Sequence, residues 1–289
     1  MDSLELHSFQ PSGCVKANLH NVHETLLLPL WCRAKAAELS SDKFNDFQAI
    51  QMVHRIDYNF SRFHAKIRKF FIVMLAARAK EQDGIIRRFL LEHPHATIVN
   101  IGAGLDTTFY RVNNGTVQWY DLDVSDVIDL RKTLLRQDPQ IHYIARSMFE
   151  PDFLEEIAPP EDGILFLISG VLMYFKEPDI HSFLKRIADR FPGCEIAFDT
   201  LTPFGVSIAN RIIRKSGISN ARIQWGISSV NNIKKWDSRF LVKERKPVCY
   251  SVFPYRRFGF LSCALILLNR LFHVYTLNWI QYNAEGTPL

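Results

Sequence analysis

The run Thr97-Ile98-Val99-Asn100-Ile101 breaks abruptly on Gly102-Ala103-Gly104. A short β-branched, apolar stretch bounded by glycines reads as a buried strand that ends in a tight turn. Glycine lets the backbone take a positive φ there and approach a ligand where a Cβ would collide. The chain goes on Leu105-Asp106-Thr107, so Thr107 stands where the dinucleotide fingerprint G-x-G-x-x-G has its third glycine. That argues against a pyrophosphate resting on the start of the next helix. Taken alone, such a turn suits a structural bend as well as a binding loop.

Four more strand-like runs follow, at 117–123, 142–145, 164–169 and 195–199. Helical stretches at 125–135, with Ser125 as N-cap, and at 179–191 separate them. The run 164–169 is apolar almost throughout, as a central parallel strand requires. Strands alternating with helices in this way predict a doubly wound, mostly parallel α/β sheet covered on both faces. Ligands on such sheets bind beyond the carboxyl ends of the strands. The segments to watch are therefore 102–107, 121–123, 147–150, 169–174 and 199–203. Residues 204–236 read as a helical insert, and 273–282 as an edge or final strand.

Before the first strand the pattern is helical. Leu26, Leu27, Leu30 and Ala34 share a helical spacing around Pro29, which marks a start or a kink. Further helices are expected at 44–55, 62–79 and 83–92, the last ending before Pro94. The expected organisation is a helical cover over residues 1–92, which opens as a lid for ligand exchange, and an α/β domain over 93–289.

Composition narrows the function classes. With 47% hydrophobic and 22% charged residues, the 289-residue chain can bury a sizeable core. Its formal charge of +5 is mild, and no basic run is interleaved with aromatics, so nucleic acid is not an expected partner. The cysteines Cys14, Cys32, Cys194, Cys249 and Cys263 are odd in number and scattered, with no CxxC pair. That opposes a disulfide framework and a zinc site, so no metal is expected. The N-terminus has no basic and apolar leader, and a cytoplasmic location is expected. The apolar stretch 258–268 is too short to span a bilayer and is read as a buried helix or strand.

Two side-chain patterns are compatible with a ligand that has ribose hydroxyls and an anionic group. Asp121 and Asp123 end the second strand, about twenty residues after the glycine turn, where an acidic group can accept both hydroxyls of a ribose. They alternate along an extended strand and are expected on one side of it, with Asp123 the first choice. Arg78 sits in a mostly apolar helix. An arginine there can grip a carboxylate through two parallel hydrogen bonds, or simply snorkel to the surface.

The stretches VNIGAGLDTTFYRV and WYDLDVSDVIDLRKTLL resemble the leucine carboxyl methyltransferase family, and within it the bacterial branch of polyketide-type (tetracenomycin-type) O-methyltransferases. HETLLLPLWCRAKAAE, HRIDYNFSRF, AARAKEQD, SGVLMYF and FDTLTP follow in the family's order. The resemblance implies a class I, Rossmann-like methyltransferase sheet that binds S-adenosyl-L-methionine. It implies that Arg78 holds the methionine carboxylate, that Gly102, Ala103 and Gly104 form the cofactor turn, and that Asp123, with Asp121 beside it, binds the ribose. Ser147 and Met148 fall where the family contacts adenine. Ser169 departs from the pattern, because many members carry Glu in that segment. Tyr174 matches the family's tyrosine there and is a weak catalytic candidate.

The activity so implied is O-methylation of a small, polyketide-like or other natural-product carboxylate or hydroxyl. A carboxylate is ionised at neutral pH and needs no base, whereas a phenol, with a pKa of about 10, does. No His or Lys stands at a strand end, which favours a carboxylate. Acceptor contacts are expected among Arg33, Tyr58, Arg62, Tyr110, Arg111 and Trp225. Three alternatives remain open at this level: a protein C-terminal carboxyl methyltransferase, a cofactor-binding protein without turnover, and a nicotinamide oxidoreductase.

Overall fold

A computed structural model describes residues 15, 24–40, 43–61, 63, 69–216, 222–249 and 259–283. Among the described residues, three helices come first: α1 (Glu24–Leu39), α2 (Phe47–Arg55) and α3 (Lys69–Glu92). There follow β1 (Thr97–Ile101), α4 (Thr108–Val112), β2 (Gln118–Asp123), α5 (Ser125–Leu134), β3 (Ile141–Ala145) and β4 (Ile164–Ile168). The chain closes with α6 (Glu177–Arg190), β5 (Glu195–Leu201), α7 (Pro203–Ser216), β6 (Phe240–Pro247), α8 (Phe260–Phe272) and β7 (Tyr275–Tyr282).

The sheet has seven strands in the order β3-β2-β1-β4-β5-β7-β6. The first five are parallel, and β7 runs antiparallel to both β5 and β6. The α/β sheet predicted from the alternation of strands and helices is thus present. Its strand order reverses between β1 and β4, which is where such sheets open a crevice. Ile101 is level with Leu122 and with Ile168, Asp123 with Ala145, and Ile168 with Phe198. This register sets Gly102, Asp123, Ser169 and Asp199 side by side along one edge.

Alternate residues of the strands enter two apolar layers. Ile98, Trp119, Leu165, Ala197 and Trp279 join a cluster that runs through α5 and α3 to α1 and α2. Val99, Ile101, Phe166, Ile168 and Phe198 join another, closed by Ile180, Phe183, Leu184 and Ile187 of α6.

Several local expectations are corrected. The helices expected at 62–79 and 83–92 are one 24-residue helix from Lys69 onward; residues 62 and 64–68 lie outside the described residues. Gly84 costs a helix about 1 kcal/mol, but Ile72, Val73, Ala76 and Ala77 before it and Ile85, Ile86 and Phe89 after it are all buried, and their packing overrides that cost. The helix expected from Phe44 begins instead at Phe47, where Asp46 caps α2 by accepting the Ala49 N–H at 3.1 Å. Val124, extended directly from β2, takes the N-cap position of α5, and Ser125 is the first helical residue. Pro29 lies inside α1.

The run expected at 273–282 is the final strand of the chain, β7, but it is not at an edge: it is paired on both sides and β6 is the edge. The apolar stretch 258–268 is helical from Phe260 onward, but only one face of it is buried. This part lies in α8, where Ile266 is buried whereas Phe260 is 90% and Leu267 65% exposed. The inward face of α8 is instead partly polar. Asn269 Nδ2 donates to the carbonyls of Val248 and Tyr275, and Asn269 Oδ1 accepts the Tyr275 N–H. Among the described residues, no helix is long and apolar enough to cross a membrane.

Candidate cofactor site

The glycine turn is shaped from both ends. Gly102 and Gly104 take φ values of +64° and +47°, in the left-handed region that L side chains avoid. A Cβ on Gly102 would lie 2.5 Å from Val171 Cγ2, and one on Gly104 3.0 Å from Leu26 Cδ2. The Ala103 N–H reaches the Leu122 carbonyl at 3.0 Å. Asp123, half-buried at the end of β2, accepts the Gly104 N–H on Oδ2 and the Val124 N–H on Oδ1, both at 2.8 Å. Burial pushes its carboxyl above the usual carboxylate range, against the pull of those two amides. Each oxygen keeps a lone pair, so Asp123 can still accept ligand hydroxyls.

Asp121 has a different place from the one expected. It is fully buried, and its oxygens are spent inside the protein. Oδ1 accepts Trp119 Nε1–H at 2.9 Å and Asn100 Nδ2–H at 3.0 Å, and Oδ2 is paired with Arg131. Arg131 Nη1 also donates to the carbonyls of Ala103, Gly104 and Asp106 at 3.1, 2.9 and 2.8 Å. The pair therefore braces the turn from behind, which leaves Asp123 as the carboxylate of the two with accepting capacity unspent. Reading the sequence for strand ends missed Arg131. Its signal was an arginine sharing a helix face with Val127, Ile128 and Leu134.

Arg78 reaches the same edge from α3. Its Nη1 donates to Asp199 Oδ2 and to the Tyr275 hydroxyl oxygen, both at 3.2 Å. It lies over the turn that follows β4: Gly170 takes a φ of +70°, and a Cβ there would sit 2.6 Å from Arg78 Nη1. Ser169 and Tyr174 flank this turn, both half-buried. Burial raises the Tyr174 phenol and the nearby Arg78 opposes it, leaving a neutral hydroxyl at working pH.

Beyond β3, the Ser147 hydroxyl accepts the Phe149 N–H at 3.3 Å. Met148 is buried in the cluster on the α6 side, and its carbonyl takes Arg186 from that helix. The segment lies next to Asp123 through the β2–β3 register.

The residues expected at the acceptor do not converge. Arg33 is buried, bonded to Asp46 Oδ2 at 3.0 Å and to the Leu105 carbonyl at 2.7 Å. Arg111 forks onto Asp83 at 2.8 and 2.9 Å and also meets Asp46 and Thr107. Both arginines tie α1, α2, α3 and α4 to the glycine loop, so neither is free to grip an acceptor. Trp225 is buried in the apolar layer on the α6 side. Tyr110 bonds the Arg136 carbonyl at 2.5 Å, and Tyr58 packs on Phe60 and Phe63. Arg62 lies outside the described residues. Among the described residues, no group of three or more His, Cys, Asp or Glu is placed to hold a metal.

The sequence profile of the leucine carboxyl methyltransferases matches residues 30–188. The chain belongs to that family. It is 32% identical over 219 residues to the tetracenomycin polyketide synthesis O-methyltransferase TcmP of Streptomyces glaucescens, covering 75% of this chain and 79% of the relative. It is 27% identical over 279 residues to the S-adenosyl-L-methionine-dependent methyltransferase dpfgK of Gibberella zeae, covering 90% and 93%. Two solved structures share the fold at low identity. A DUF574 family protein from Streptomyces avermitilis superimposes with a TM-score of 0.59 at 12% identity, over 80% of this chain and 94% of that one. Magnesium protoporphyrin IX methyltransferase from Synechocystis gives 0.50 at 10% identity, over 78% and 94%.

Proposed function

We propose that this member of the family is an S-adenosylmethionine-dependent methyltransferase that esterifies or etherifies an oxygen of a small natural-product acceptor. Polyketide-like acids fit best. The supporting observation is that a positive-φ glycine turn, the accepting carboxylate of Asp123 and the guanidinium of Arg78 stand along one sheet edge. That set matches the donors and acceptors of the cofactor. Asp123 accepts the ribose hydroxyls, the turn lets the backbone lie close, and Arg78 takes the methionine carboxylate. Ser147 and Met148 border the adenine end. When bound, the cofactor supplies an activated methyl group to the acceptor oxygen.

The protein's own contribution is placement. Transfer is an in-line displacement, and fixing the two reactants in line supplies the main acceleration. The neutral phenol of Tyr174 lines the space next to Arg78 and has no depressed pKa with which to act as a base. The absence of a strand-end base in the sequence supports an acceptor that arrives ionised, a carboxylate in the first instance. A cytoplasmic location belongs to the same reading. It is consistent with the buried, unbridged thiols of Cys32, Cys194 and Cys249.

The test is calorimetric titration with S-adenosylmethionine and S-adenosylhomocysteine. A radiolabelled methyl-transfer screen against aromatic and polyketide acids and phenols would follow. Micromolar cofactor binding and a base-labile methyl product are expected. A base-stable product would move the acceptor to a hydroxyl, and binding without any turnover would leave a cofactor-binding protein.

A further inference from the structure

Arg78 is not held by its own helix. Its Nη1 is fixed by Asp199 Oδ2 and by the hydroxyl of Tyr275, each at 3.2 Å. Tyr275 in turn donates to the same Asp199 oxygen at 2.5 Å, closing a three-membered ring of contacts. The other carboxylate oxygen, Asp199 Oδ1, accepts the Gly170 N–H at 2.5 Å. Asp199 comes from the end of β5 and Tyr275 from the start of β7, and these residues are drawn together by the antiparallel register of the two strands, in which Leu201 faces Tyr275. The Asp199 side chain is wholly buried and that of Arg78 is nearly so. Among the described residues, the hydrogen bonds of Arg78 use Nη1 alone. The edge formed by Nε and Nη2 is the one that presents two parallel N–H groups to a carboxylate.

We propose that Asp199 and Tyr275 are positioning residues for cofactor recognition: by clamping Nη1 and the Gly170 amide, they turn the Nε/Nη2 edge of Arg78 toward the carboxylate of the cofactor's amino-acid tail. This rests on the assignment of Arg78 to that carboxylate. An arginine on a long helix has many rotamers, and ordering it only on binding costs affinity. The clamp removes that cost in advance. It also partners the buried guanidinium before the ligand arrives, so the cation is never desolvated alone.

The test separates the amino-acid tail from the rest of the cofactor. S-adenosylhomocysteine carries the carboxylate, and methylthioadenosine has the same nucleoside and thioether without it. Tyr275→Phe keeps the ring and removes the hydroxyl. It should weaken S-adenosylhomocysteine about tenfold and leave methylthioadenosine unchanged, with kcat at saturating cofactor little altered. Arg78→Ala should show the same selectivity, and Arg78→Ala/Tyr275→Phe should be no weaker than Arg78→Ala. Asp199→Asn should follow Tyr275→Phe if it folds. Equal weakening of both ligands by Tyr275→Phe would reduce it to a packing residue and overturn the proposal. No weakening by Tyr275→Phe, with Arg78→Ala selective, would overturn the clamp alone. An Arg78→Ala variant that binds both ligands normally would overturn the carboxylate assignment beneath it.

Discussion

Asp121 and Asp123, with only Leu122 between them, differ in every physical respect that matters. Asp121 is shared among Arg131, Trp119 and Asn100, whereas Asp123 holds two backbone amides and keeps accepting capacity. Removing one member of a buried ion pair costs about 3–5 kcal/mol, because the partner charge is left unpaired. Asp121→Asn should therefore lower stability in denaturant melts by an amount of that order. Asp123→Asn should chiefly weaken cofactor binding in titrations. The pH dependence of binding belongs to Asp123. Its protonated form accepts poorly, so affinity should fall as pH drops through its raised pKa, beginning above the value of about 3.9 for a free aspartate. For stability the sign is reversed. The folded state holds this proton more tightly than the unfolded chain, so the group favours folding below its raised pKa and disfavours it as pH rises through it. Titrations with S-adenosylhomocysteine between about pH 4 and 7 should show the decline in the wild type and a flat profile in Asp123→Asn. The sequence pointed to this strand end as the place for a ligand-facing acid and favoured Asp123, but it left Asp121 beside it in the same role. Alternation on a strand gives a side, whereas the division of labour came from Arg131 on another element.

At the scale of elements, periodicity and glycines were good guides to what exists and poor guides to where it stops. The strand runs and their glycine-ended turn are where the residue pattern put them, since five consecutive buried positions in β1 and in β4 leave little choice. The break expected between residues 79 and 83 did not occur, because α3 is buried through that stretch at Ala79, Gln82 and Asp83. The reason Gly102 must be glycine also shifted. Its Cβ would strike Val171, a side chain of this protein, so the constraint exists before any ligand is considered. Gly102→Ala should destabilise the fold by roughly 1–2 kcal/mol from the positive φ alone, with more from the clash. Thermal unfolding would register this without cofactor present.

Across the whole molecule, the two apolar layers and the ionic network around Asp46 leave the N-terminal helices continuous with the sheet. Arg33 of α1 bonds the Leu105 carbonyl in the glycine loop, and Asp46, which caps α2, accepts from Thr107 and Arg111. Long-range partners of this kind are invisible to local pattern reading, which is why Arg33 and Arg111 looked like candidates for the acceptor. Ordering the glycine turn by a ligand should therefore be felt in α1 and α2. Hydrogen exchange across residues 24–55 is expected to slow when S-adenosylhomocysteine binds. Unchanged exchange there would mean that the helical cover does not respond to the site.

The outward side of α8 has a practical bearing of its own. Phe260, Leu261, Leu267, Leu271 and Phe272 offer greasy surface to solvent in the native fold. Environment-sensitive fluorophores that report unfolding by sticking to such surface would already glow with the intact protein. Melting curves taken with them would start high and hide ligand-induced shifts, while the emission of the buried Trp31, Trp119 and Trp279 would report those shifts without that background.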